Sequence, residues 1–108
     1  MRRGDIVLIP FPFTDLSGQK VRPALVLFAA ARGEDCIVAF ISSRPTRKPQ
    51  RFEIAITASK RNGLKFDSMI KVAKMATLQK KIIIGNLGAA ESDTVSRVES
   101  ALTALFGI

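Results

Sequence analysis

A chain of 108 residues that is 47% apolar and 24% charged can build one hydrophobic core and is too apolar to be a disordered polymer. It has no histidine and one cysteine, which excludes a His-based acid–base pair, a Ser-His-Asp triad, a His-containing zinc site and any intramolecular disulfide. Its 17 Lys and Arg against 9 Asp and Glu leave a net charge of +8, which favours a polyanionic partner: nucleic acid, an acidic protein segment or an anionic membrane surface.

Arg2 and Arg3 are followed only by Ile6–Ile9 before Pro10, too short for the apolar core of a signal peptide. The longest uncharged apolar run, Ala24 to Ala31, falls well short of a membrane span. With Cys36 unpaired, the expectation is one soluble domain over residues 1–108 in a reducing cytoplasm, with no membrane partner.

Asp5–Ile9 reads as a first strand closed by Pro10 and Pro12. Phe11 to Gln19 is a loop with Ser17-Gly18 as its turn signal. Phe11 reads as a packing residue, whereas Phe13 sits nearer the loop tip, where an aromatic ring can stack on a base. Lys20-Val21-Arg22-Pro23 then runs into the apolar strand Ala24 to Phe28. Pro23 pushes Arg22 toward an extended backbone, so a permanently charged fork stands at the mouth of a rigid strand. The residues alone leave open whether Arg22 meets a phosphate or is a solvated charge ending a loop.

Cys36–Ile41 is apolar throughout and reads as a central strand. It leads directly into the loop Ser42 to Arg51, where hydroxyls and cations lie among prolines. Such a loop can ligate phosphates or can be a solvated basic connection. Phe52–Ile56 alternates as a half-buried strand, and Gly63 marks a turn. Lys65 to Val72 leads into another strand, Leu78–Lys81 is a connector, and Ile82–Ile84 with Gly85-Asn86 forms a short edge strand or turn. Val95, Val98, Leu102, Leu105 and Phe106 then recur at helical spacing with Ala101 on the same face. Glu91 and Asp93 suit the first turn of that helix, and Gly107 its end. The expected architecture is mainly β (α+β): a five- to seven-stranded barrel-like sheet with a C-terminal amphipathic helix.

Arg3-Gly4-Asp5-Ile6, Lys20 to Leu27 with its Arg-Pro, Ile41-Ser42-Ser43-Arg44, Gly63-Leu64, Asp67-Ser68 and Thr77-Leu78 occur in this order along nearly the whole chain. In this they resemble the MazF/PemK family of toxins from type II toxin–antitoxin systems. The resemblance implies a compact SH3-like, CcdB/PemK-type β-barrel with a C-terminal helix, assembled as a homodimer. It also implies a metal- and cofactor-independent endoribonuclease that cuts single-stranded RNA at short sequences and is held by an acidic antitoxin. Carried over by position, the arginine of the Arg-Pro element is Arg22 and the hydroxyl after the third strand is Ser42; these are the expected catalytic pair. Phe13, Gln19, Lys20, Ser43, Arg44, Arg47, Lys48, Lys71, Lys74 and Thr77 are the expected RNA contacts.

The chain departs from the pattern where many members carry a carboxylate, a glutamine and an arginine: here stand Ala73, Lys74 and Ala76, with Lys71 in the place of an arginine used in one branch. A histidine found in the first loop of some members is also missing. The general base is therefore unassigned by resemblance. Two other functions fit the same residues: a non-catalytic barrel that binds nucleic acid or a protein target, as the gyrase-poisoning toxins of this fold do, and a basic subunit that only holds an acidic partner.

Overall fold

The structure is a computed structural model that describes residues 1–11 and 20–108. Its strands are β1 (Asp5–Phe11), β2 (Lys20–Ala29), β3 (Asp35–Ser43), β4 (Glu53–Ile56), β5 (Ser68–Gln79) and β6 (Gly85–Ala89), followed by one helix, α1 (Ser92–Phe106). All pairings are antiparallel, in the order β4-β5-β3-β2-β1-β6. β4 and β6 are both edges and do not pair with each other, so the barrel-like sheet is a curled half-barrel. β3 is internal, as its unbroken apolar sequence requires.

Side chains of successive residues enter two different cores. Along β2, Leu25 and Leu27 join a cluster with Ile6, Ile41, Ile54, Ile70, Val72 and the helix residue Val98. Ala24 and Val26 turn the other way, toward Val7, Ile9, Cys36, Val38 and Leu78. Both faces of the sheet centre are thus buried, which is why the middle of β2 reads as a continuous apolar run and not as an alternation. Each fully buried aliphatic side chain contributes about 1.5–3 kcal/mol.

α1 lays Val98 and Thr94 on the first face, with Val95, Ala101 and Leu102 partly covered beside them. It ends at Gly107, left-handed at φ 68°, as expected. Phe106, grouped by periodicity with the apolar stripe, is 59% exposed because the last turn runs past the edge of the sheet core. Glu91 occupies the N-cap position, but its carboxylate accepts from Ser59 Oγ (2.6 Å) and Asn62 Nδ2 (3.2 Å) and does not cap the helix. Hydrogen bonding from Ser59, the larger effect, holds its carboxyl below the usual range.

Several sequence-derived boundaries shift: β1 runs on through Pro10 to Phe11, β3 takes in Ser42 and Ser43 from the expected loop, and Phe52 lies outside β4. β5 runs on through Gln79, because Asp35–Ala39 of β3 pairs with Met75–Gln79 beyond an irregularity in which Val72, Ala73 and Lys74 face no partner on β3. The last strand begins at Gly85, not Ile82: Lys80–Ile82 form a 3₁₀ turn, and β1 selects Gly85–Ala89 as its partner. This edge is closed by the turn at Asn62-Gly63. Gly63 is left-handed at φ 72°, and a Cβ there would strike the carbonyl oxygen of Leu87; one on Gly88 would strike that of Arg61. The absence of both side chains lets Ala89 N–H reach Arg61 O at 3.0 Å. Asn62 is fully buried with its amide satisfied, accepting from the N–H groups of Ser59 and Leu64 and donating to Thr57 O and Glu91.

Candidate active site

The site begins at a proline. β2 and β3 pair from Ala29–Cys36 to Ala24–Phe40, and the ladder stops there. Pro23 has no N–H with which to extend it. Both strands nevertheless run on, β2 held by β1 through Arg22–Ile9 and β3 held by β5 through Ser42–Met69. Continued for two residues, the register sets Arg22 opposite Ser42, across a stretch of sheet with no ladder between its strands. Residues opposed within a ladder share a face and lie about 5 Å apart; Arg22 and Ser42 share that face two residues past its last pair. Arg22 is exposed and Ser42 half-buried, so both reach solvent.

Lys71 joins them from β5. It pairs with Phe40, two residues from Ser42 on the same face of β3, which makes it a diagonal neighbour of Ser42. Such neighbours lie about 7–8 Å apart, within reach of a lysine. Two cations and a hydroxyl therefore gather on the face opposite the one that carries α1, since the intervening Leu25, Ile41 and Ile70 point into the helix-bearing core. Among the described residues, Ser42 Oγ makes one long contact, to Ser43 O at 3.5 Å.

The remaining expected contacts separate. Lys20, Ser43, Lys48 and Lys74 are exposed, Ser43 opposite Ser68 and Lys74 in the irregularity of β5. Arg44 ties the loop to the start of β5: its N–H donates to Asp67 O at 3.3 Å and its guanidinium lies 3.8 Å from the Asp67 carboxylate. Arg47 turns inward onto Glu53. Thr77 pairs with Ile37 at the other end of β3, so the fold does not bring it to Ser42. Phe13 and Gln19 lie outside the described residues.

Glu53 is the residue that sequence reasoning passed over. Its carboxyl is held at about 2, first by Arg47, then by the N–H of Gln50, with Lys71 adding a smaller effect. Glu53 pairs with Lys71 across β4 and β5, so the cationic face has one carboxylate built into it. The alternating strand sequence gave Glu53 the appearance of an ordinary solvated position; the signal was Arg47, six residues upstream across a proline-containing loop.

Cys36 is buried and burial pushes its thiol up, so it is no candidate nucleophile. Among the described residues no three His, Cys, Asp or Glu side chains gather as a metal site, and no helix is long and apolar enough to cross a membrane. A hollow of about 440 Å³ opens between β4 and α1, lined by Arg51, Ile54, Arg97 and Ala101 among others, and contains neither Arg22, Ser42 nor Lys71.

The same architecture occurs in solved structures. MazF from Deinococcus radiodurans is 23% identical, with a TM-score of 0.76 over 100% of this chain and 97% of that one. The MazE–MazF structure from the same organism gives 24% and 0.78, covering 100% and 96%. An endoribonuclease in complex with its cognate antitoxin, from a mycobacterial species, gives 18% and 0.79, again covering 100% and 96%. No curated protein sequence matches the chain. The model of the PemK-like, MazF-like toxins of type II toxin–antitoxin systems matches residues 2–106, nearly the whole of the fold just described, and the chain belongs to this family.

Proposed function

We propose that this toxin is an endoribonuclease that cuts single-stranded RNA with Arg22 and Ser42 at the scissile phosphate. The observation that carries this reading is the β2–β3 register, which ends at Ala24–Phe40 beside Pro23 and, continued, sets Arg22 opposite Ser42. The ribose 2′-OH gives its proton to solvent as its oxygen attacks the adjacent phosphorus, the bond to the 5′-oxygen breaks, and that oxygen takes a proton from solvent, so the products are a cyclic phosphate and a free 5′-OH. Negative charge builds on the phosphoryl oxygens during that step. A fixed guanidinium and a hydroxyl donor stabilise it there, and Lys71 adds a third positive or donor group.

Glu53 is a poor base because Arg47 holds its carboxyl at about 2, and Ala73 supplies no carboxylate. The rate therefore rests on electrostatic stabilisation more than on a strong protein base. The mechanism calls on no metal. The names of the similar structures, an endoribonuclease with its cognate antitoxin and a MazE–MazF complex, support the same activity and an antitoxin as partner, and the net charge of +8 favours an acidic one. A homodimer working in the cytoplasm completes the reading, since two copies extend the surface that grips RNA.

Purified protein incubated with single-stranded RNA in excess EDTA tests it. Cleavage to fragments with cyclic-phosphate and 5′-OH ends is the expected result. Intact RNA in EDTA with cleavage restored by magnesium would overturn the mechanism, and intact RNA under both conditions would overturn the nuclease.

A further inference from the structure

The loop between β3 and β4 folds back onto a single carboxylate. Arg47 grips both oxygens of Glu53, Nη1 to Oε1 at 2.6 Å and Nη2 to Oε2 at 2.9 Å. The N–H of Gln50 donates to Oε1 at 2.9 Å, and the N–H of Glu53 returns a bond to Gln50 O at 3.0 Å. Arg47 also donates to Lys48 O at 3.2 Å. The carboxylate is the inner partner: the Glu53 side chain is 11% exposed, that of Arg47 40%.

The clamp closes over a constrained turn. Phe52, immediately before Glu53, is left-handed at φ 67°, a conformation that a bulky side chain adopts only when its surroundings impose it. Its carbonyl accepts from Val72 N–H at 2.9 Å, and the Arg51 guanidinium stacks 4.7 Å from its ring. On the sheet side, Glu53 pairs with Lys71, whose charge acts on it, and Lys71 is the diagonal neighbour of Ser42. One carboxylate therefore faces the basic loop on one side and a cation of the site on the other.

We propose that Glu53 is a positioning residue for the RNA site, fixing the basic loop through Arg47 and Gln50 and orienting Lys71, its cross-strand partner, on the same face as Ser42. The proposal rests on the endoribonuclease reading. It makes Arg47 an internal strut and not a phosphate contact, which leaves Lys48 of that loop to meet RNA.

Simple electrostatics and positioning make opposite forecasts for Glu53→Gln. The substitution removes a negative charge and raises the net charge from +8 to +9, so charge alone tightens RNA binding. Positioning requires weaker binding and slower cleavage despite the added charge. Arg47→Lys is the companion variant: it keeps the charge, loses the two-pronged grip and alters only an exposed loop residue, so it reports even where Glu53→Gln does not fold. The probe is a single-stranded RNA whose cut sites, mapped first with the wild-type protein, carry 2′-deoxy sugars for binding and ordinary ribose for single-turnover rates.

Affinity roughly two- to a hundred-fold weaker is expected for each variant, the usual span for coupled residues, with a lower saturating rate for Glu53→Gln. The double variant is expected to be no worse than the poorer single one, because both break the same clamp. Wild-type affinity and rate in Arg47→Lys, or tighter binding with unchanged rate in Glu53→Gln, would overturn the proposal while leaving the nuclease intact. A wild-type protein that cuts nothing would instead remove the nuclease reading on which it stands.

Discussion

Continued two residues past its last pair, Ala24–Phe40, the β2–β3 register sets Arg22 opposite Ser42 beyond the point where Pro23 ends the ladder, each strand being carried onward by its other neighbour. The arrangement needs a planar two-donor group on one strand and a compact donor on the other. Arg22→Lys is therefore expected to resemble Arg22→Ala more than wild type, because a point charge does not reproduce the fork. Removing one such donor typically raises the barrier by about 3–4 kcal/mol, a loss on the order of a hundred- to a thousand-fold in rate. Single-turnover cleavage by Arg22→Lys and Ser42→Ala checks this; near-normal turnover in the lysine variant would mean that Arg22 supplies charge only.

Pro23→Ala offers a separate test of the same opening. Alanine brings an N–H that can carry the ladder one step further toward Ser42. The unfolded chain gains freedom, a loss of about 0.4–1 kcal/mol, and a new hydrogen bond returns about 0.5–1.5 kcal/mol. Stability is thus expected to change little while cleavage slows. Hydrogen exchange at residue 23 shows whether the new amide is protected; a protected amide with full activity would show that the opening is not needed.

Much of this was legible in the chain. Pro23 placed Arg22 in extended backbone, and the apolar run Cys36–Ile41 identified the internal strand that delivers Ser42. The irregularity of β5 and the start of β6 were not legible, because both depend on which residues a distant strand accepts. Lys71 becomes a diagonal neighbour of Ser42 only through the register of β3 with β5. The clamp on Glu53 was hidden for a related reason: an alternating strand gives its polar positions to water unless a loop folds back over them.

The two-core sheet gives a stability test. Ile70 is fully buried in the helix-bearing core, and Ile70→Ala is expected to cost about 2–5 kcal/mol. Phe106→Ala is expected to stay within roughly 0.5 kcal/mol, as surface changes usually do. Denaturant midpoints decide between this contrast and a continuous apolar stripe on α1, which would make both costly.

The Glu53 carboxyl gives a pH test with a definite sign. Its folded pKa, about 2, lies below the ordinary glutamate value of 4.5, so its contribution is fully present above about 4.5 and is lost as pH falls toward 2. The stability difference between wild type and Glu53→Gln is expected to be constant from pH 5 to 8 and to shrink below that range. Cleavage rates are expected to show no break near pH 4–6 attributable to this group. A difference that shrank instead between pH 6 and 8 would place the titration elsewhere.

Salt dependence separates cations that touch RNA from those used internally. Single-stranded nucleic acid gives a slope of about −0.7 in log affinity against log salt for each phosphate neutralised. Lys48 is exposed, and among the described residues its side chain makes no ion pair, so Lys48→Ala is expected to flatten the slope by about 0.7. Its rate at saturating RNA is expected to remain near wild type, because Lys48 lies in the loop beyond the Arg22–Ser42 pair. Arg47→Lys, by contrast, is expected to lower affinity with the slope unchanged, since it alters how the loop is held and not how many phosphates are neutralised. Titrations at several salt concentrations distinguish the two. Equal flattening by both substitutions would show Arg47 on the phosphates, and the bidentate grip on Glu53 would then have to open when RNA binds.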